Sequence, residues 1–177
     1  MTTTEKAIYM GPNANFEAQD INDFKNKLIN NKQLRGRICT HSDVNNSLHE
    51  MFIFNQKSKY VCPHKNHRKN KSFHVIEGLV DIVFFSDSGG IINIYHLGDY
   101  KSGNPFYLRL SEPGYHTLVT VSELLIIKET INGPYKPSDT VYASWAPDEQ
   151  DEVNGKKYLR SLRRSILQYD KSKNELQ

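Results

Sequence analysis

The sequence is short of several residue types and patterns, and each shortage removes a class of function. It has two cysteines, Cys39 and Cys62, set far apart in strand-like segments. That is not the close paired spacing of a zinc ribbon, nor a disulfide framework, and an isolated thiol in such a segment behaves as a small apolar residue. A reduced, cytoplasmic protein is the expectation, with a Cys39–Cys62 disulfide not indicated. No apolar run approaches the length of a membrane span. The opening "MTTTEKAIYMGPNANFEAQD" contains no apolar core of a secretory signal. Gly89 and Gly90 stand between strand-like runs, so no glycine-rich phosphate loop is formed, and no G-x-S-x-G elbow occurs. Charge of one sign is also lacking. Lysine and arginine total 23 against 20 acidic residues, a formal net charge of +3. Such a balance gives no electrostatic case for nucleic acid.

What is present fits one domain. A chain of 177 residues with 37% hydrophobic and 24% charged content supports a single real core. Residues Asn15 to Asn31 place Phe16, Ile21, Phe24 and Leu28 near helical spacing, so they read as a first helix on the outside of something larger. From Arg35 to Ile131 the period becomes two. The runs "GRICTH", "HEMFIFN", "KYVCPH", "KSFHVIE", "LVDIVFFS", "IINIYHL", "FYLRLS", "YHTLVTV" and "LLIIKETI" follow one another, with turn signals such as "NQKS", "DSGG" and "SGNP" between several of them. "SDSGG" marks the clearest hairpin. Many short strands without intervening helices argue a β-sandwich or barrel. In the tail, "KKYLRSLRRSILQY" sets Tyr158, Leu159, Leu162, Ile166 and Leu167 on one helical face and most of the basic residues on another. That pattern predicts an amphipathic terminal helix with a solvated basic face. The expected organisation is a helical extension over 1–34, a β-domain over 35–150 and a terminal helix over 151–177, together one structural unit.

The stretch "HKNHRKNKSFHVIEG", from His64 to Gly78, raises the question of a metal site. With "RGRICTHSD", "LHEMFI", "YVCPHK", "SFHVIEG", "YHTLV", "ETINGPY" and "SWAPDE", it resembles the cupins, and more narrowly the WbuC-type cupin family of O-antigen and other surface-polysaccharide gene clusters. The resemblance runs from about Arg35 to Glu149. "ETINGPY" followed by "WAP" is its most specific part. It implies an all-β fold, a single cupin (jelly-roll) β-barrel with flanking N-terminal and C-terminal helices. It also implies a homodimer and a small-molecule partner, a carbohydrate or nucleotide sugar.

The cupin pattern aims two histidines of a His-x-His into the barrel, because residues i and i+2 of a strand share a face. A glutamate and a later histidine complete the ligands. Here the second histidine position holds Asn66, with His67 one residue beyond it, and the glutamate position holds Lys71. The second motif reads "SEPGYH", which keeps His116. His64, His67 and His116 would be the ligands of a divalent transition metal (Fe, Mn, Ni or Zn) if a bulge turned His67 inward, with Glu129 as a further substitute. Lys71 opposes this, since an ammonium repels a nearby cation.

Three readings follow. One is a metal-free epimerase or isomerase of a nucleotide sugar, with His64 and His116 as acid/base groups and Lys71 stabilising an oxyanion. In it Arg109 grips an anionic group, and Tyr60 or Tyr107 stacks on or donates to the sugar, near Glu129. The second is a metal-dependent cupin. The third is a non-catalytic sugar-binding or assembly module. His74 is expected on the strand face opposite Lys71.

Overall fold

The computed structural model describes residues 6–10, 13–111 and 114–175. Eleven strands among them form two facing sheets. The first sheet has the order β1–β2–β3–β10–β5–β8, built from Lys6–Tyr9, Arg35–Cys39, Leu48–Gln56, Leu124–Asn132, Lys71–Glu77 and Tyr107–Leu110. The second has the order β11–β4–β9–β6–β7, built from Thr140–Tyr142, His64–Asn66, Tyr115–Thr120, Leu79–Phe85 and Ile91–Gly98. Pairing is antiparallel throughout except where β1 runs parallel to β2. The sheets are open at their edges, so the expected closed barrel is instead a jelly-roll sandwich. The run "KYVCPH" also departs from expectation: its only strand residue is His64, where the short β4 begins.

Alternation within the strands sorts side chains into three layers. Between the sheets lie Met51, Ile53, Phe73, Val75, Val80, Ile82, Leu118, Leu125 and Ile127. Helix α1 (Ala18–Asn30) covers the outer face of the first sheet, seating Phe24 and Leu28 on Ile38, Phe54 and Ile126. The side chain of Asp20 accepts from the Glu17 amide at 2.8 Å and satisfies one donor at the helix start. Helix α2 (Glu152–Asn174) covers the second sheet through Leu159, Leu162 and Ile166, against Val83, Phe85 and Val119. It starts just after Asp151, which caps it by accepting from the Asn154 amide at 3.0 Å. Leu167 is exposed, and Arg163 leaves the solvated face to donate to the carbonyls of Lys57 and Thr120 at 2.7 and 2.9 Å.

The glycine of "FHVIEG" has a local reason. Gly78 turns the chain from β5 into β6 at φ 92°, where a β-carbon would meet the Leu124 carbonyl at 2.5 Å. The predicted hairpin is β6–β7, turned at Gly89 with φ 90°. Cys39 and Cys62 are both buried. No helix among the described residues is long and apolar enough to cross a membrane.

Candidate functional site

One cluster joins the two sheets. On β5 the alternation turns Lys71, Phe73 and Val75 inward and leaves His74 on the exposed face, as the period of two predicts. On the adjoining β10, Glu129 lies in register between Met51 and Phe73 and lines the same cavity. From the opposite sheet, His64 of β4 pairs in register with His116 of β9. The two rings are 4.9 Å apart. Lys71 Nζ lies 3.3 Å from His116 Nε2 and 3.5 Å from Glu129 Oε1. Phe84 stacks on His116 at 5.7 Å, and Phe73 sits 6.4 Å from it, so the imidazole is wedged between apolar faces.

The hydrogen bonds fix how the histidines are used. Nδ1 of His64 lies 2.9 Å from the Cys62 carbonyl, and Nδ1 of His116 lies 2.9 Å from the Gly114 carbonyl. A carbonyl only accepts, so each Nδ1 carries the proton and each Nε2 presents a lone pair. Burial, reinforced by Lys71, pushes His64 down to about 4 and His116 well below the ordinary imidazole value. Both rings are therefore neutral acceptors near pH 7. Burial also lowers Lys71, against the opposing pull of Glu129. For Glu129, burial pushes the carboxyl up, but Lys71 and Arg37 outweigh it and hold the group below its usual range.

Above this cluster opens a cavity of about 1120 Å³, whose wall includes Arg35, Arg37, Tyr142 and Glu149. The two arginines project from alternate positions of β2, and the intervening Gly36 faces α1. Glu149 accepts from Arg35 at 3.3 Å and pairs with Lys59 at 2.7 Å. Tyr142, on β11, lies 6.0 Å from the His64 ring. The cavity can hold a sugar-sized anion, with cationic side chains on its wall and proton-handling groups at its base.

The residues expected from sequence divide between this cavity and the surface. His64, Lys71, His116 and Glu129 converge. Tyr60 lines the cavity, but its hydroxyl donates to the Pro147 carbonyl at 2.8 Å and its ring packs beneath α2. His67 is exposed in the turn after β4, with its amide bound to the Asp139 carbonyl and no bulge turning it inward. Tyr107 and Arg109 alternate to the exposed face of β8, away from the cavity, and Arg109 Nε donates to Ser111 Oγ at 3.3 Å. Of "SEPGYH", Glu112 and Pro113 lie outside the described residues. Sequence reasoning passed over Arg35, Arg37, Tyr142 and Glu149. The alternation in "RGRIC" was the available signal for the arginines, whereas nothing local marked Tyr142 or Glu149.

These residues do not fit a divalent metal. Lys71 Nζ stands against His116 Nε2, the lone pair a metal would need. His67 is turned to solvent. Among the described residues no group of three His, Cys, Asp or Glu side chains is placed to hold an ion.

Comparison with known proteins adds the fold. Residues 16–97, under half of the chain, match a family model described as a domain of unknown function (DUF6016). No curated protein matches the chain. Among solved structures, the capsular polysaccharide assembling protein CapF from Staphylococcus aureus is similar at a TM-score of 0.50 and 15% identity, over 60% of this chain and 29% of that one. An oxalate decarboxylase from Lactobacillus farciminis is similar at a TM-score of 0.43 and 11% identity, over 55% and 27% of the two chains. The match thus spans less than a third of the CapF chain. At this identity the likeness is one of fold, and the chain has a cupin fold of two facing sheets.

Proposed function

We propose that this chain binds and acts on a nucleotide-activated sugar or related carbohydrate in surface-polysaccharide (O-antigen) biosynthesis, as an epimerase-like or isomerase-like protein that needs no metal. The observation that carries this reading is the buried Lys71–His116–Glu129 cluster, joined by His64, at the base of a cavity walled by Arg35 and Arg37. The motif resemblance to the WbuC-type cupins supports the pathway. So does the fold shared with CapF, which is described as a capsular polysaccharide assembling protein.

The chemistry asks for a carbonyl to be polarised and an adjacent proton moved. Lys71 Nζ donates to the carbonyl oxygen and stabilises the negative charge that forms there. The proton leaving the neighbouring carbon passes to an imidazole Nε2, and its return to the other face inverts that centre. Both imidazoles are weak bases when the cavity is empty. They gain basicity as an enolate forms beside them, because the new negative charge favours imidazolium. Arg35 and Arg37 are suited to the diphosphate or a sugar carboxylate, since a guanidinium recognises such groups bidentately.

The test is to offer nucleotide-linked keto and deoxy sugars in deuterated water and follow exchange by NMR. Exchange at carbon next to a carbonyl, lost in Lys71→Met and His116→Ala, is the expected result. Saturable binding without exchange would assign a non-catalytic sugar-binding module. The absence of both binding and exchange would overturn the proposal.

A further inference from the structure

Lys71 has surroundings that its role as a hydrogen-bond donor does not require. Its side chain is 5% exposed, and the little that is open lines the cavity. Its nearer polar neighbour is not the carboxylate but the neutral lone pair of His116 Nε2. The charge of the cluster closes without its proton. Glu129 feels Arg37 and Arg35 as well as Lys71, and Glu149 is matched by Arg35 and Lys59. Lys71 is the strongest of the cations that act on Glu129, but Arg37 and Arg35 hold the carboxylate as well.

We propose that Lys71 is a covalent, imine-forming amine that condenses with the carbonyl carbon of a keto sugar admitted to the cavity. This rests on the carbohydrate reading above and replaces the hydrogen bond to the carbonyl oxygen with a covalent bond. The Nζ lone pair attacks the carbonyl carbon, and the C=O π pair moves to oxygen. The Nζ proton facing His116 passes to Nε2 across the 3.3 Å contact as the C–N bond forms. The same proton is then returned to the oxygen, which becomes a hydroxyl, and the second Nζ proton follows by way of Nε2 as the C–O bond breaks, so that the oxygen departs as water. Loss of water leaves C=N in place of C=O, with one water released for each imine formed. Protonated on nitrogen, the imine draws electrons from the adjacent C–H bond more strongly than the ketone does. Water restores the ketone and the free amine after the proton has been replaced. Burial of the amine, which lowers its proton affinity, keeps more of it in the nucleophilic form.

The experiment treats the intact protein with sodium cyanoborohydride in the presence of dTDP-4-keto-6-deoxyglucose and, separately, glycolaldehyde. Intact mass and peptide mapping locate the product, and binding of the same nucleotide sugar is measured without reductant. The expected result is a single stable adduct on the peptide bearing Lys71, heavier by the sugar less one oxygen atom. Glycolaldehyde is expected to label Lys71 ahead of the surface lysines, and Lys71→Arg to lose the adduct completely while keeping the cation. Binding or deuterium exchange with Lys71 unmodified overturns the imine and leaves the carbohydrate function standing. Adducts confined to surface lysines overturn it equally. Absence of binding, exchange and adduct together overturns both.

Discussion

Lys71 Nζ lies 3.3 Å from His116 Nε2, so a lysine nitrogen occupies the place where a metal ion would meet that imidazole. Two neighbouring facts make this a substitution of charge rather than a collapse of the site. His64 still faces His116 in register across β4 and β9, and both rings still give their Nδ1 protons to backbone carbonyls. The Nε2 atoms therefore keep the tautomer that a metal ligand requires.

The first prediction follows from that geometry. Lys71→Glu removes the competing cation and adds a carboxylate beside His64, His116 and Glu129. The variant is expected to bind Zn²⁺ or Mn²⁺ stoichiometrically by calorimetry, and the unmodified protein is not. Binding to the folded state alone stabilises it, by about 2.7 kcal/mol when the free ion is at about a hundred times Kd, so melting should rise with added metal only in the variant. Stoichiometric metal in the unmodified protein would mean that Lys71 swings away from His116.

A second prediction concerns the energetics of the Lys71–Glu129 pair, separated by 3.5 Å. Deleting one partner of a buried pair leaves the other charge to be compensated by what surrounds it. Around Glu129 that compensation is Arg37 and Arg35, so Lys71→Met should cost less than a lone buried pair implies. Glu129→Gln leaves several cations facing one another and should cost more. In a double-mutant cycle by urea unfolding, the two changes together are expected to cost less than their sum, with a coupling of about 1–3 kcal/mol. Strict additivity would show that the two groups do not interact in solution.

A third prediction is a dependence of stability on pH through His96. Its Nδ1 lies 2.7 Å from Asp81 and its Nε2 lies 3.2 Å from Asp170 of α2. Burial by itself pushes this imidazole down, but the hydrogen bond and charge of Asp81, with Asp170, outweigh it and raise its proton affinity above the ordinary 6.5. Burial of Asp81 raises that carboxyl as well, which trims what the contact is worth. A group with a raised folded-state value gives its stabilisation in full below its unfolded value and loses it as pH rises through the folded one. Melting temperature should therefore fall as pH climbs from about 6.5, by an amount matching about 0.5–1 kcal/mol because half of His96 is solvent-exposed. His96→Asn should flatten that part of the profile, and an unchanged slope would remove His96 from the account.

Much of this architecture is legible in the chain. The period of two places Lys71, Phe73 and Val75 inward and His74 outward, and "SDSGG" is the β6–β7 turn. The convergence of His64, Lys71, His116 and Glu129 follows from a motif resemblance plus alternation. What the chain does not reveal is pairing between distant segments. β1 joins an edge through β2, and β11 joins β4, over sequence separations that no local period records. Tyr107 and Arg109 went to the wrong surface for the same reason. Alternation on β8 fixes that Leu110 and they point oppositely, but only the pairing of Lys71 with Leu110 on β5 says which face is inside.

The last prediction tests how α2 is seated. Gly155 lies buried in its first turns, where a β-carbon would come within 2.6 Å of Tyr60 Cδ1. Tyr60 has little freedom to yield, because its hydroxyl is tied to the Pro147 carbonyl and its ring meets Tyr158 edge-on at 5.6 Å. An added methyl improves helix propensity by about 1 kcal/mol, so Gly155→Ala sets a gain in propensity against a steric loss. Gly155→Leu adds bulk that no rotamer of a locked Tyr60 can admit, and overpacking of this kind costs about 1–3 kcal/mol. The leucine variant should therefore melt lower than the alanine variant, and Tyr60→Ala should relieve much of the difference by emptying the contested space. Because Tyr60 also lines the cavity, the leucine variant is expected to weaken binding of a nucleotide sugar at temperatures where the fold is intact. Equal melting of the two variants would show that α2 shifts as a whole, and that its close approach to Tyr60 is not what positions this wall of the site.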